Sequence, residues 1–387
     1  MSSSILSVSR LPNLSVCFFE AVRSLSKYAA TLFLTGVRRP PKVASIALVC
    51  VGVGRNNSLS RVPHILMTYG RTVAHARGDG LNIAFISSSV RPFGDTARAA
   101  SAFTAISDVF LSCGEAVVSP VYNYETCQTE FVLYDTTKVR DEARGSKYMQ
   151  SYPLDIFQES ETWLKNNNGN LLFVGVGCQA DGFRRFMELR GLRNRVTIVG
   201  IICNGSSSPK IWKDYVRGKS NLANLNFRDK RDGWHKPVAH VDINGKEKSI
   251  QDYLTLFYNR CALRPSCYRC PYATTEREVD LTIGDFWGVE KALPDFNING
   301  GVSLVLVHTE KGQEVFEKAK DSVYWKESNT EDCLQPNLIK PTERSPRRDE
   351  FWNDYENHGI RFILKKYAPQ PSILRRAVRK FKVVLKE

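Results

Sequence analysis

The chain has 387 residues, 42% of them hydrophobic and 24% charged, which is enough for two or three ordinary cores and unlike a disordered or fibrous sequence. Its ten cysteines are too few and too scattered for a disulfide scaffold, and the one tight group points to a metal or redox site in a reducing, cytoplasmic setting. The formal net charge is +14, but residues 1–90 carry ten Lys and Arg against only Glu20 and Asp79, so the rest is near neutral and offers no basic face for nucleic acid.

Residues 1–90 form an atypical basic segment. "MSSSILSVSRLPNLSVCFFEAVRSLSKYAA" is rich in serine and poor in acids, the composition of a presequence, and equally that of an unusual N-terminal domain or of a stretch that is not authentic coding sequence. Its longest apolar run, "VASIALVCVGVG" (43–54), is too short to span a bilayer.

From residue 95 the pattern becomes regular. "TARAASAFTAISDVFLSCG" predicts a helix closed by Gly114, and "AVVSPVYNY" a strand after it. "LDIFQESETWLKNNNGN" predicts a helix stopped at 166–170 by Asn and Gly. It is followed by a buried strand "LLFVGVG" (171–177), a helix "ADGFRRFMELRG" (180–191) and a second strand "RVTIVGIIC" (195–203). Ser208 and Pro209 have the character of the N-cap and first turn of the helix "KIWKDYVRG". Strand and helix alternating through short connections predict an α/β fold with a parallel βαβ core sheet. A second block, 221–310, mixes short strands with the cysteine group and predicts an appended α+β region. The domain organisation expected is a family N-terminal domain over 91–165, a C-terminal domain with the cysteines over 166–335, and a basic tail over 336–387.

Chemistry concentrates in a few places. Cys178 and Cys203 each follow a strand of one βαβ unit, so both fall at the carboxyl edge of a parallel sheet, where ligands of open α/β sheets gather. "CALRPSCYRCPY" (261–272) sets Cys261, Cys267 and Cys270 in a C-x5-C-x2-C pattern followed by Pro271, a spacing that suits an iron–sulfur cluster. Zinc would also accept four sulfurs, or three with a histidine such as His235 or His240. Arg144, Ser146 and Lys147, in "RGSKYMQS", surround a turn ahead of a helix and could cradle a phosphate. "LTIGDFWG" (281–288) runs a strand into a turn flanked by Phe286 and Trp287.

Together "GSKYMQS", "LLFVGVGCQADGFR", "IICNGSSSPKIWKDYV", "LRPSCYRCPY", "DLTIGDFWG" and "NGGVSLVLVHTEKG" resemble the beta-subunit family of coenzyme F-420 hydrogenases and dehydrogenases, which also includes the plant reductase of hydroxymethyl-chlorophyll. The resemblance covers about residues 95–365 and is nearest in motif to bacterial members found among surface-polysaccharide genes. It implies an oxidoreductase with a flavin (FAD) and a 4Fe-4S cluster, exchanging electrons with a donor protein or reduced cofactor. Ligand roles pass to Cys261, Cys267 and Cys270. The fourth ligand lies between Cys203, the first choice, and Cys178, which also suits a cofactor's phosphate; Ser146 and Lys147 would lie near the flavin. The sequence departs from the family pattern in having no dense N-terminal cysteine module and in carrying "ARAASAFTA" where relatives have a Ser-Gly-Gly turn. Those departures motivate a second reading, a metal-stabilised interaction protein that has lost its flavin.

The chain closes on "SILRRAVRKFKVVLKE" (372–387), an amphipathic basic helix capped by Ser372, suited to packing on a partner or to peripheral contact with a membrane.

Overall fold

The computed structural model describes residues 101–369, apart from 154, 295 and 297–299, together with the strand segments Ser45–Ile46, Tyr69–Gly70 and Ile83–Ser88. The basic helix expected over 372–387, and nearly all of the 1–90 segment, lie outside the described residues. The chain divides into two units, Met1–Arg77 and Gly78–Glu387. In the first, Ser45–Ile46 pairs antiparallel with Tyr69–Gly70.

The second unit begins with β1 (Ile83–Ser88), α1 (Ser101–Leu111), β2 (Ala116–Asn123), β3 (Gln128–Tyr134), α2 (Thr137–Ala143), β4 (Ser151–Tyr152) and α3 (Ile156–Asn166). Next come β5 (Leu171–Val176), α4 (Gly177–Leu189), β6 (Val196–Ile201), α5 (Pro209–Val216), β7 (Leu222–Asp229), β8 (Val238–Ile243), β9 (Lys246–Ser249) and α6 (Gln251–Tyr258). The last group is β10 (Leu281–Asp285), α7 (Val289–Ala292), β11 (Val302–Val307), α8 (Glu310–Ala319), β12 (Tyr324–Ser328), α9 (Pro336–Ile339) and α10 (Arg348–Tyr367).

Nine strands make one mixed sheet in the order β12-β1-β11-β10-β6-β5-β2-β3-β4. Its centre, β10-β6-β5-β2, is parallel throughout, and its flanks are antiparallel up to the short β4. The fold is therefore the α/β architecture expected, with a parallel βαβ core. β5 and β6 are buried along almost their whole length, which is why they read as continuous apolar runs. Their alternation serves two layers. Leu172 and Val174 pack with Phe110 and Phe316 from α1 and α8, whereas Leu171 and Phe173 pack with Phe183 and Met187 from α4. The Phe173 and Phe183 rings stack at 4.1 Å.

The 221–310 block divides differently from the expectation. Only β7, β8 and β9 form a separate antiparallel sheet. β10 and β11 belong to the main sheet beside β6, because their side chains are apolar enough to be covered on both faces. The C-terminal stretch is also integrated. Phe351, Tyr355, Ile363 and Tyr367 of α10 enter a core with Trp212 and Tyr253, although the helix is broken at Gly359, where φ is 70°.

Candidate functional site

Three segments meet at the carboxyl edge of the parallel strands. The first is the start of α4. In the pairing of β5 with β6, Val176 lies opposite Ile201, so Cys178 and Cys203 each stand two residues past paired positions and hold the same rank at adjacent strand ends. The helix begins at Gly177, three residues earlier than its sequence pattern suggests, because the Gln179 side chain accepts a hydrogen bond from the Val176 N–H (3.3 Å) and closes the first turn. Cys178 is exposed in that turn.

The second segment is the loop after β6. Ser207 bridges to Leu263, while Ser208 N donates to the Ala262 carbonyl (3.0 Å) and Arg264 N to the Ser206 carbonyl (2.9 Å). This pairing lays residues 203–208 along the start of the cysteine stretch. Gly205 makes the approach possible. Its φ is 122°, and a Cβ there would meet Leu263 at 2.8 Å and Cys267 Cβ at 3.5 Å. Gly205 N–H donates to Cys203 Sγ (3.3 Å), and Ser206 N–H donates to Cys267 Sγ (3.4 Å).

The third segment is the turn Pro265–Arg269 and the residues after it. Tyr272 sits on Gly177, where a Cβ would lie 2.7 Å from Tyr272 Cβ, and its hydroxyl donates to Asp181 Oδ2 (2.8 Å). Burial alone would raise the Asp181 carboxyl, but hydrogen bonds from Arg184, Tyr272 and Arg185 bring it below its usual range. The Cys-Tyr-Arg-Cys-Pro-Tyr loop is thereby clamped to the helix that carries Cys178.

The result gathers Cys178, Cys203, Cys267 and Cys270. Cys267 and Cys270 lie near enough to Cys178 and Cys203 to act on the ionisation of both, and Cys178 acts on that of Cys203. Burial pushes the Cys203 thiol up to about 12, relieved by the Gly205 N–H and reinforced by Cys267, Cys178 and Cys270. Cys178 is raised by burial and by Cys270 and Cys267, against the opposing pull of Arg264. Four thiolates so placed repel one another, and a cationic centre between them removes that cost.

The same sulfurs could serve a single ion or a larger centre. Zn–S bonds of about 2.3 Å would bring sulfurs to about 3.8 Å of one another. Among the described residues no three of these sulfurs lie within 4.8 Å of one another; the only such group of possible ligands is His240, Asp242 and Glu247 in the small sheet. His235 is paired with Glu290 (2.6 Å) and His240 with Asp229 (2.8 Å).

Cys261 lies in a buried setting of its own. It is 1% exposed, within the core of α5, α6 and α10, and its thiol donates to Ser345 Oγ (3.2 Å). Arg348 holds the backbone there by donating to the carbonyls of Cys261 (2.5 Å) and Leu263 (2.7 Å). The thiol therefore has hydrogen-bonding partners of its own in Ser345 and the Asn259 carbonyl. Spacing along the chain ranks Cys261 with Cys267 and Cys270; the strand-end register of Cys178 is the signal that competes with it.

Lys147 and Ser146 form a different kind of feature. The Lys147 ammonium donates to the carbonyls of Ala143 (2.5 Å), Arg144 (3.2 Å) and Gly145 (3.3 Å), closing the C-terminal end of α2, while burial lowers it to about 7. Its three donors are spent on backbone, and Ser146 is exposed beside it. The Lys147 ammonium is thus not free to grip a flavin phosphate.

Arg277 completes the surroundings. Its Nε donates to the Thr274 carbonyl (2.9 Å), and its terminal nitrogens to the carbonyls of Ile201 and Asn337 (3.4 Å each). Burial lowers its guanidinium, and Cys270 and Cys203 push it the other way. Among the described residues it has no carboxylate partner.

Fold and sulfur placement define a class, an α/β protein with four thiols gathered at parallel strand ends. Residues 168–332 match the family described as the C terminus of the beta subunit of coenzyme F420 hydrogenase/dehydrogenase. All four gathered sulfurs fall within that segment. The chain is similar, at 18% identity, to a chain of the xenon-derivatised F420-reducing NiFe hydrogenase complex from Methanosarcina barkeri, over 74% of this chain and 91% of that one, with a TM-score of 0.45. No curated protein matches the chain. Among the described residues no helix is long and apolar enough to cross a membrane.

Proposed function

We propose that this protein is a redox subunit that holds a 4Fe-4S cluster on Cys178, Cys203, Cys267 and Cys270 and exchanges electrons between a donor protein or reduced cofactor and an organic partner. The observation that carries the reading is the convergence of four thiols from three separate segments at the carboxyl ends of the parallel strands. When bound, such a cluster supplies one-electron transfer.

The chain's own groups prepare the site. The Gly205 and Ser206 N–H groups stabilise thiolate at Cys203 and Cys267, and Arg277 and Arg264 place positive charge beside an anionic centre. Burial on the Cys203 side shields the centre, and the exposed Cys178 side gives a partner its approach. The FAD implied by resemblance finds no matching donor set at Ser146 and Lys147, and the reading does not require it. A role in surface-polysaccharide biosynthesis rests on motif resemblance alone.

Protein purified without oxygen should be brown, with a broad band near about 400 nm from sulfur-to-iron charge transfer that bleaches on reduction. Colourless protein with one zinc per chain would overturn the reading in favour of a structural metal.

A further inference from the structure

The pairing of β10 with β6 places Ile283 opposite Ile201, so Asp285 holds the rank at its strand end that Cys203 holds at the next. The two ends are packed together, since a Cβ on Gly284 would meet the Ile202 side chain at 2.8 Å. Asp285 is joined by Arg228, from the end of β7. Arg228 Nη1 lies 3.2 Å from Asp285 Oδ2, while Nε and Nη2 are buried without a hydrogen-bond partner. The whole side chain is only 9% exposed.

Nε and Nη2 are the two nitrogens of one edge of a guanidinium, the edge that grips a carboxylate or phosphate with two parallel bonds. Leaving that edge buried and unpaired is costly, more so than for a neutral group. Other features nearby share its polarity. Lys230 Nζ, whose ammonium burial lowers to about 8, has a single long bond to the Gly300 carbonyl (3.4 Å), and Trp234 Nε1 is buried without a partner. The surroundings are aromatic. Arg228 lies over Trp287 (5.0 Å), Trp287 stacks on Trp234 (5.1 Å), the Tyr148 phenol comes within hydrogen-bonding reach of Arg228, and that of Tyr258 is near enough to act on it. Trp287, 40% exposed, and Tyr258, 44% exposed, are the side chains at the surface of this group.

We infer that Arg228, backed by Lys230 and Trp234, is a binding site for the oxyanion of an organic acid or phosphate ester, entered past Trp287. As an anion site it rests on Arg228 alone; as the seat of the organic redox partner it rests also on the cluster reading above.

The test is calorimetric titration of the full chain, purified anaerobically, with 2-naphthoate, 2-naphthyl phosphate and the neutral 2-naphthamide. One of the two anions should bind at least about tenfold more tightly than the amide, and which one does so separates a carboxylate from a phosphate ligand. Arg228→Gln should lose about tenfold or more of that affinity with little effect on the amide, and Arg228→Lys should lose less, since it keeps the charge without the paired donors. Asp285→Asn removes the competing carboxylate and should tighten anion binding several-fold. That gain decides the matter if Arg228→Gln does not fold. Equal binding of anions and amide, unchanged binding in Arg228→Gln, no gain in Asp285→Asn, or no anion binding at about 10 mM would each overturn the inference. Iron per chain is measured in the same samples. Anion binding by iron-free protein leaves the site standing and removes the cluster, and iron without anion binding does the reverse.

Discussion

Three cysteines show what a one-dimensional spacing can and cannot convey. Cys267 and Cys270, three residues apart around a tight turn, are brought close by that turn, as their spacing suggests. Cys261 shares the same short stretch, yet the chain between it and Cys267 turns back to pair with residues 206–208, and its thiol stays in the core with Ser345. Lys147 likewise looks free in sequence, and only the folded end of α2 shows where its donors go. Arg277 carries an expectation at this scale. Its charge faces Cys270 and Cys203 with no carboxylate among the described residues to neutralise it, so it should favour the more negative, reduced state of a bound cluster. Arg277→Gln should keep its iron and show a lower midpoint potential in an anaerobic redox titration, with Arg277→Lys nearer to wild type. An unchanged potential would remove Arg277 from the electrostatics of the site.

The central elements were readable because burial on both faces leaves little but apolar residues in β5 and β6. The flanking strands were not. β3, "QTEFVLY", and β12, "YWKES", carry polar residues on one face, and their identity comes from the neighbours they pair with. α10 escaped notice because Gly359 interrupts its apolar period and charged residues cover its outer side. The contact between α4 and the cysteine loop can be tested directly. Gly177→Val would force a side chain into Tyr272 and should release the loop, lowering bound iron while the fold persists by circular dichroism. Gly182→Ala, on the same helix with nothing nearer than 4.0 Å, should change neither. At the other end of the strands, Arg193 donates to both oxygens of the buried Asp280 (2.9 Å each), which also accepts from Ile198 N and Thr309 Oγ1. Arg193→Ala leaves that carboxylate short of its counter-charge and should cost about 3 kcal/mol in denaturant unfolding; a loss below about 1 kcal/mol would mean that the backbone and Thr309 suffice.

Across the whole molecule, the sheet separates a structural edge from a chemical one. Asp280, Thr282 and His308 form part of a buried polar set, and burial lowers the His308 imidazole to about 4, helped by Arg277 and opposed by Asp280. An imidazole held neutral in the fold and protonated when unfolded stabilises the protein fully above its unfolded value of about 6.5, and that contribution is lost as pH falls toward about 4. Thermal melts should therefore decline over this window, and His308→Gln should flatten the decline; an unaltered profile would assign the loss to other groups. The opposite edge carries Cys178, Cys203 and Asp285 at equal rank on three adjacent parallel strands, and the central claim is that the first two belong to one centre with Cys267 and Cys270. Iron and acid-labile sulfide per chain, measured anaerobically in single Cys→Ser variants of known fold, test it most directly. Cys178→Ser, Cys203→Ser, Cys267→Ser and Cys270→Ser should each lose most of their iron, and Cys261→Ser should keep it. Depleted iron in Cys261→Ser together with full iron in Cys178→Ser would contradict the account.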